Sequence, residues 1–381
     1  MRLCLFLLAI LLFGAAPASS QLPPLLPPAA PGSPAPLLSP PGSQVSPPLA
    51  AAPAGGPPLV LDAAALPMIW PKGRLIYEQR FLLGNLSRAF AIGTNGEYGG
   101  MWGASSLEEA RAEALRICGN KGGTDCAVYA ADLNVVWNGR AQAAAPPPPG
   151  PLLAGDGWAF VPDARYFWYG PAAARGVVVF AHGYSGSASR TELGEVQPPP
   201  FLRAFNNAGF DVVRFARAWR VDGRTDEMAR HLREGLRDLH RRGWKSVIAA
   251  GQSRGGWNVL QTLDTPGIAD AVIATSPAAA GTDPGAPARL GNRGLEAIVG
   301  AARSPHTRVV FAQFADDPFY VNGDERAAII RRLQGRIAAV MIIDRPADIA
   351  GHDGANGAVF AERYGACLLR FTTAPTVPSS C

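Results

Sequence analysis

The chain has 381 residues, of which 48% are hydrophobic and 17% are charged, and its formal net charge is +5. This composition excludes a wholly disordered chain and fits a packed globular protein of one or two domains. The basic residues are mostly Arg in a chain also rich in Ala, Gly and Pro, so the charge reflects overall composition. We therefore expect no nucleic-acid partner from the positive charge.

Residues 1–18 have the pattern of a secretory signal peptide. Arg2 precedes an apolar run from Leu3 to Phe13, and Ala16-Pro17-Ala18 fits a cleavage site between small residues. The run is short for a membrane span, although an uncleaved N-terminal anchor is an alternative. The sequence therefore predicts export to the periplasm or the extracellular space of a bacterium, with no stable membrane span after cleavage.

Four cysteines remain once the signal peptide is removed, and an even number in an exported chain indicates disulfides. Three pairings are possible. Closeness in sequence favours Cys118 with Cys126 and Cys367 with Cys381. No spacing of Cys and His fits a zinc site, and neither a metal nor a cofactor is predicted.

Two stretches rich in proline and alanine separate the regions that are predicted to fold. Residues 19–65 are predicted to be a disordered tether, because they lack a patterned apolar surface to bury. Residues 142–155 are a second proline-rich linker. Because proline runs are stiff, we expect this linker to hold the regions on either side apart.

Residues 66–141 are predicted to form a small α+β domain. Ser106 and Glu109 make a capping box at the start of a helix that ends before Gly122-Gly123, and strands are predicted around it at residues 90–93, 126–130 and 135–137. A bridge from Cys118 to Cys126 would tie the helix end to a strand. The pattern resembles small disulfide-containing domains of exported bacterial proteins with no established role. A module that binds an unknown partner and a purely structural module both remain open.

Residues 156–381 alternate strands with helices. This alternation predicts a mostly parallel, doubly wound α/β sheet with helices on both faces and with the functional residues at the carboxyl ends of the strands. The predicted strands are 177–181, 211–215, 246–250, 271–275, 308–314 and 337–343, and the predicted helices include 200–208 and 225–242, the latter capped by Thr225.

A candidate nucleophile follows the strand at 246–250. Gly251-Gln252-Ser253-Arg254-Gly255 is a Gly-x-Ser-x-Gly motif between a strand and a predicted helix, which is the context that a nucleophile turn requires. The glycines leave room for a tight, strained turn. Other strand ends carry His182-Gly183, Asp316-Asp317 and His352.

These residue types fit the chemistry of a serine nucleophile. A neutral imidazole must take the proton of the serine hydroxyl, and a carboxylate must orient that imidazole and stabilise its charged form. His352 is the best base by elimination, since His231 and His240 lie on a helix, His306 precedes a strand and His182 follows an early strand. An exposed loop histidine is the alternative for His352.

The elbow, the His-Gly loop and the order serine, aspartate, histidine resemble the α/β-hydrolase superfamily, over about residues 158–367. Within it, the chain is similar to secreted bacterial serine hydrolases with a Gly-Gln-Ser-x-Gly-Gly elbow and a Gly-His-x-Gly loop. The resemblance favours Asp317 over Asp316 as the acid, although Phe314 stands where the superfamily has glycine and Asp316-Asp317-Pro318 can also be a simple turn. It implies backbone N–H donors of an oxyanion hole at Arg254 and Tyr184.

These residues predict a secreted serine hydrolase that cleaves a carboxylic ester of a small-molecule or acyl substrate through an acyl-enzyme. Hydrolysis of an amide or peptide with the same residues is an alternative. A catalytically silent binding protein on the same fold is another, although it would have no chemical reason to keep all three side chains.

Overall fold

The structure, a computed structural model, describes residues 59–137, 145–184, 196–279, 288–320 and 322–378. These residues hold two sheets, one of four strands and one of eight. Both sheets lie in one compact unit. We call residues 59–137 the small part and residues 145–378 the large part. The predicted signal peptide, and the tether up to residue 58, lie outside the described residues.

The four-stranded sheet of the small part is antiparallel in the order β2-β1-β3-β4. Its elements are α1 (Pro71–Ile76), β1 (Ala89–Ile92), β2 (Tyr98–Met101), α2 (Leu107–Asn120), β3 (Ala127–Ala131) and β4 (Asn134–Val135). Helix α2 lies close to the sheet because the facing residues are small. A Cβ atom on Gly99 would lie 2.0 Å from the backbone oxygen of Ala114.

The structure contains the predicted Ser106 cap at the start of α2 and the predicted disulfide near its end. The Ser106 hydroxyl accepts a hydrogen bond from the Glu109 N–H at 3.1 Å. The Glu109 carboxylate bonds to the N–H of Ser105 at 3.0 Å, one residue earlier than the predicted capping box requires. The Cys118–Cys126 disulfide is confirmed. Cys381 lies outside the described residues, so the second pairing stays a prediction.

The predicted tether extends too far along the chain. Residues 59–61 and 63–65 form short 3-10 turns, and Val60 and Ala63 are buried in the core of the small part. The Tyr77 hydroxyl also donates a hydrogen bond to the Val60 carbonyl at 2.7 Å. The composition of this stretch, rich in alanine and proline, gave no sign that these few apolar residues would be buried.

The expectation that the linker holds the two parts apart is wrong. Phe167 of the large part is 2% exposed and belongs to the same hydrophobic cluster as Tyr77 and Phe81 of the small part. The Asn207 side-chain amide donates to the Leu82 carbonyl at 3.2 Å. We call this contact the seam. Burial of apolar surface between the parts outweighs the stiffness of a proline run.

The eight-stranded sheet has the order β12-β11-β10-β9-β7-β8-β6-β5 and is parallel except at β5 and β6. Its strands are β5 (Leu153–Gly155), β6 (Trp158–Pro162), β7 (Gly176–Ala181), β8 (Phe210–Arg217), β9 (Val247–Gln252), β10 (Ala271–Thr275), β11 (Arg308–Gln313) and β12 (Ala339–Asp344). Strand β5 lies within the predicted linker 142–155, so this part of the chain begins earlier than expected.

Helices cover both faces of this sheet, which confirms the predicted mostly parallel, doubly wound α/β fold. Side chains of α5 to α8 pack on one face, and those of α3 and α9 pack on the other. The helices are α3 (Leu202–Asn207), α4 (Trp219–Asp222), α5 (Thr225–Arg241), α6 (Arg254–Gln261), α7 (Ala288–Ala301), α8 (Gly323–Arg331) and α9 (Ala358–Thr373). Thr225 is the first residue of α5 and not its cap, since Arg224 holds the N-cap position without a side-chain bond.

Candidate active site

Ser253 lies on a strained turn between β9 and α6. Its backbone angles are φ 52° and ψ −118°, which side-chain-bearing residues rarely adopt. The turn requires its glycines. A Cβ atom on Gly251 would lie 2.4 Å from the backbone of Gly255, and one on Gly255 would lie 1.9 Å from the carbonyl oxygen of Ala181. The chain can make this tight turn because glycine has no Cβ atom at either position.

Hydrogen bonds fix the backbone of Ser253. Its N–H donates to the Thr275 carbonyl at 3.0 Å, and its own carbonyl accepts from the N–H of Trp257 at 2.9 Å and that of Ala278 at 3.1 Å. The residue is 4% exposed. Because strand ends on both sides hold the turn, the position of the Ser253 side chain is set by backbone geometry.

His352 and Asp317, which come from different loops, lie in direct contact. His352 Nδ1 is 2.9 Å from Asp317 Oδ1 and 2.9 Å from Oδ2. The Asp317 side chain is fully buried, and its Oδ1 also accepts from the N–H of Phe319 at 2.9 Å. Of the two adjacent aspartates, the structure therefore places Asp317 against the imidazole.

The other ring nitrogen of His352 makes no hydrogen bond to Ser253 or to any other described residue. This nitrogen, Nε2, is buried. The ring of Phe319 lies against the imidazole with a distance of 4.3 Å between ring centroids. The Asp317 contact and this packing hold the ring in one orientation.

Gln252 connects the serine turn to the histidine loop, and the sequence analysis did not assign it a role. Its side-chain amide donates to the His352 carbonyl at 3.2 Å and lies 3.4 Å from Asp353 Oδ1. A Cβ atom on Gly183 would lie 2.4 Å from Gln252 Oε1 and 3.3 Å from Ser253 Cβ. A polar residue between a buried strand and a strained turn is the signal that could have identified it.

His182 is buried, and both of its ring nitrogens make hydrogen bonds to the backbone. Its Nε2 accepts from the backbone N–H of Arg217 at 3.1 Å, which leaves the proton on Nδ1 for the Gly183 carbonyl at 2.5 Å. Burial, and next the charge of Arg217, lowers the pKa of His182 to about 3. His182 is therefore neutral at ordinary pH.

The two predicted oxyanion residues lie side by side. The guanidinium of Arg254 lies 4.7 Å from the centroid of the Tyr184 ring, and its Nη1 donates to the Asp222 carbonyl at 2.8 Å. Asp222 in turn forms a fully buried ion pair with Arg217 at 2.7 Å. These contacts tie the start of α6 to the loop that follows β7.

Another buried arginine, Arg326, contacts the loop that carries Asp317, and the sequence did not indicate it. Arg326 is 1% exposed, donates to the Pro277 carbonyl at 2.6 Å and lies 4.7 Å from the centroid of the Tyr320 ring. The Tyr320 hydroxyl donates to the Phe314 carbonyl. Burial, and next the charge of Asp317, raises the pKa of Tyr320 to about 12.

Within the part of the chain that the structure describes, no group of three or more His, Cys, Asp or Glu side chains could hold a metal ion. In the same residues, no helix has both the length and the apolar character needed to cross a membrane.

No protein-family model matches the chain, and no curated protein matches it. Solved structures do match. The Pyrococcus furiosus esterase Pf2001 is 16% identical with a TM-score of 0.38, over 52% of this chain and 82% of that one. Est1E from Butyrivibrio proteoclasticus is 14% identical with a TM-score of 0.38, over 56% and 92%. A Paleococcus ferrophilus monoacylglycerol lipase is 16% identical with a TM-score of 0.37, over 52% and 95%.

The geometry of the chain itself defines the fold of the large part. A mostly parallel sheet is covered by helices on both faces. A glycine-framed serine turn joins strand β9 to helix α6 at the carboxyl edge of that sheet. The large part therefore has a mostly parallel, doubly wound α/β fold with a strained serine turn at the carboxyl edge of its sheet, which is the fold that the resemblance to the α/β-hydrolase superfamily predicts.

Proposed function

We propose that this protein is a serine hydrolase that cleaves a carboxylic ester through an acyl-enzyme. In this proposal Ser253 is the nucleophile, His352 the general base and Asp317 the residue that orients and stabilises the imidazole. The main support for this proposal is the pair of environments around the His352 ring. Nδ1 contacts the buried Asp317 carboxylate, and Nε2 has no hydrogen-bond partner among the described residues. This is the division of roles that a serine nucleophile needs.

The proposed reaction gives each of these residues one role. The hydroxyl oxygen of Ser253 attacks the ester carbonyl while His352 Nε2 takes the hydroxyl proton, and Asp317 stabilises the resulting imidazolium. The backbone N–H groups of Arg254 and Tyr184 would stabilise the negative oxygen of the tetrahedral intermediate. His352 then gives its proton to the departing alcohol. Water, deprotonated by the same imidazole, hydrolyses the acyl-enzyme and restores Ser253.

Labelling with a fluorophosphonate probe tests the nucleophile. The wild-type protein should be labelled, and Ser253→Ala should not be. Ser276→Ala is a matched control, since Ser276 is also buried, follows the neighbouring strand β10 and has a left-handed backbone with φ 44°. It should be labelled like wild type. Labelling of Ser253→Ala, or no labelling of wild type, would refute the proposal.

The preference for esters has a separate test. An ester has a better leaving group than an amide, so turnover of p-nitrophenyl acetate should exceed turnover of p-nitroacetanilide. Faster cleavage of the anilide would favour the amide alternative. If the probe labels Ser253 but the unlabelled protein binds both compounds without cleaving them, a catalytically silent binding protein is favoured.

We further propose that the protein acts after export. The Cys118–Cys126 disulfide is of the kind that persists in oxidising compartments. Fractionation of a bacterial host should find the protein outside the cytoplasm with residues 1–18 removed, as read by mass spectrometry of the mature N-terminus.

A further inference from the structure

The edge of the large sheet opposite to Ser253 holds a polar cavity of about 370 Å³, which we call the amino-edge cavity. Ser246 and Asp270 line it directly before β9 and β10, and Arg308 lines it as the first residue of β11. Ser253 follows the other end of β9, which is 6 residues long. Because such a strand spans roughly 20 Å, the cavity lies outside the proposed reaction.

Basic side chains predominate in the lining of this cavity. Arg175, Lys245 and Arg308 carry positive charges, and His306 adds a ring N–H donor even when it is neutral. Asp270 is the one acidic side chain among the described residues that line the cavity. Three cations against one carboxylate leave an excess of two positive charges.

Ion pairs do not take up these positive charges. Among the residues that the structure describes, no carboxylate forms an ion pair with any basic side chain of the cavity. Arginines elsewhere on the large part differ, since Arg233 pairs with Asp264 at 2.7 Å and Arg242 with Asp238 at 2.5 Å. The surface arginines of α5 are therefore balanced by acids, whereas the cations of the cavity are not.

Packing and backbone bonds hold two arginines at the cavity. Arg308 Nη1 donates to the Phe371 carbonyl at 2.8 Å, and Arg175 Nη1 donates to the Ala208 carbonyl at 3.2 Å. The Arg175 guanidinium also lies 5.6 Å from the centroid of the Phe210 ring. A guanidinium has five N–H groups, and neither side chain makes another hydrogen bond to a described residue. Most N–H groups of both arginines are therefore left for a ligand.

Two features of the cavity oppose an anion, and both are smaller than the positive excess. The Asp270 carboxylate, already counted against the cations, accepts the backbone N–H of Val247 at 2.8 Å. Helix α9 ends at Thr373 beside the cavity, and a helix end of this kind carries about half an elementary negative charge. The Thr373 hydroxyl donates to the Leu369 carbonyl at 2.7 Å, which satisfies one of the last carbonyls.

We propose that the amino-edge cavity binds a dianionic phosphate group, either free or as part of a small phosphate ester. The planar guanidinium groups of Arg175 and Arg308 match pairs of phosphate oxygens, and Lys245 supplies a further charge. A phosphate monoester carries about −1.5 to −2 charges near pH 7, which balances the excess in the lining. The cavity is larger than a phosphate group, and Phe210 and Pro375 provide an apolar wall for an organic substituent.

Isothermal titration calorimetry of the full chain with glycerol 3-phosphate tests this site. Wild type should show saturable binding, and Lys245→Gln and Arg175→Gln should each weaken it at least roughly tenfold, because each removes a charge-assisted contact. Both side chains belong to exposed residues, so the variants should fold. Lys72→Gln is the matched control, since it removes the same charge from an exposed lysine of the small part, and it should bind like wild type.

Inorganic phosphate and glycerol complete the titration. Tighter binding of glycerol 3-phosphate than of inorganic phosphate identifies an ester as the ligand, whereas equal affinity identifies free phosphate. Glycerol alone should not bind. Absence of saturable binding of either phosphate compound, or an equal loss in Lys72→Gln and Lys245→Gln, would overturn the proposal.

Chemical modification of wild type supplies a readout that needs no variant. Phenylglyoxal reacts with exposed guanidinium groups, and peptide mass spectrometry reports each arginine separately. At constant ionic strength, glycerol 3-phosphate should slow the modification of Arg175 and Arg308 but not that of Arg237, an exposed arginine of α5. Equal slowing at all three residues would show a general ionic effect and no site.

Discussion

Single residues with a left-handed backbone follow three neighbouring strands of the large sheet. Ser253, Ser276 and Asp316 have φ values of 52°, 44° and 58°, and they follow β9, β10 and β11. Strain of this kind persists only where the surrounding structure enforces it, and it concentrates at functional sites. The strand ends next to Ser253 and Asp317 are therefore held in place before any substrate arrives.

The two adjacent aspartates should differ sharply on substitution. Asp317→Asn keeps the shape of the side chain but removes the charge that stabilises the His352 imidazolium, so kcat on a short-chain ester should fall roughly a thousandfold or more. Asp316→Asn should keep activity near wild type, because asparagine tolerates the left-handed backbone that Asp316 adopts. Steady-state kinetics of the two variants checks this, and equal losses would remove Asp317 from its assigned role.

Burial of His182 predicts a loss of stability in acid. Its folded pKa of about 3 lies below the ordinary value near 6.5 of an unfolded chain. Below about pH 6.5 the unfolded chain binds a proton that folded His182 does not, so stability falls as the pH drops toward 3. The loss from this group is roughly 2–3 kcal/mol between pH 7 and pH 4.5.

Urea unfolding of wild type and His182→Gln at the two pH values isolates this contribution. The variant should lose less stability than wild type on acidification. The comparison is needed because burial raises the pKa of Asp211 to about 6, and this carboxyl acts in the opposite direction over part of the range. An equal acid loss in both proteins would show that His182 does not supply it.

The sequence indicated Ser253, Asp317 and His352 as candidates but not the residues that contact them. Ser253, Asp317 and His352 stand out because parallel strands bring their carboxyl ends to one edge. Gln252 has a weaker signal, as the polar last residue of the buried strand β9, and Arg326 has none. The partners of both include backbone carbonyls in loops distant along the chain. Contacts of that kind depend on the folded path of each loop and not on residue type.

Among the elements, helix α5 shows tertiary packing overriding helix propensity. Gly235 lies inside this helix, where alanine is normally preferred, but a Cβ atom there would lie 1.9 Å from Cζ of the Phe160 ring. Gly235→Ala should therefore destabilise the protein by roughly 1–3 kcal/mol. Gly300→Ala in α7, where nothing described lies within 4 Å, should stabilise it by about 0.5–1 kcal/mol. Urea unfolding measures both, and stabilisation by Gly235→Ala would contradict the packing argument.

Continuous apolar strands were predictable to within a few residues, whereas edge elements were not. The predicted strand 271–275 matches β10, and 177–181 differs from β7 by one residue. Strands of this kind are buried on both faces and form unbroken apolar runs. The short edge strand β5 (Leu153–Gly155) follows a proline run, and two of its three residues are exposed, so it carries no such signal.

At the scale of the whole molecule, the packing at the seam predicts that the stability of one part depends on the other. Composition indicated two folded regions joined by stiff proline runs, yet the contact between them depends on a few residues such as Phe167 and Asn207. Nothing in a local sequence window identifies a residue of one region as the packing partner of another. The contact became visible only in the folded chain.

Removal of the Cys118–Cys126 bridge should therefore weaken the entire compact unit. In the chain-entropy picture, losing a bridge over so short a loop costs about 2–3 kcal/mol. The double variant Cys118→Ala, Cys126→Ala should show one calorimetric transition with a Tm roughly 3–5 °C below that of wild type. The temperature at which Ser253 loses fluorophosphonate labelling should fall by the same amount, because Phe167 joins the two cores. An early transition that leaves labelling at its original temperature would show that the small part unfolds alone and that the seam does not couple the two parts.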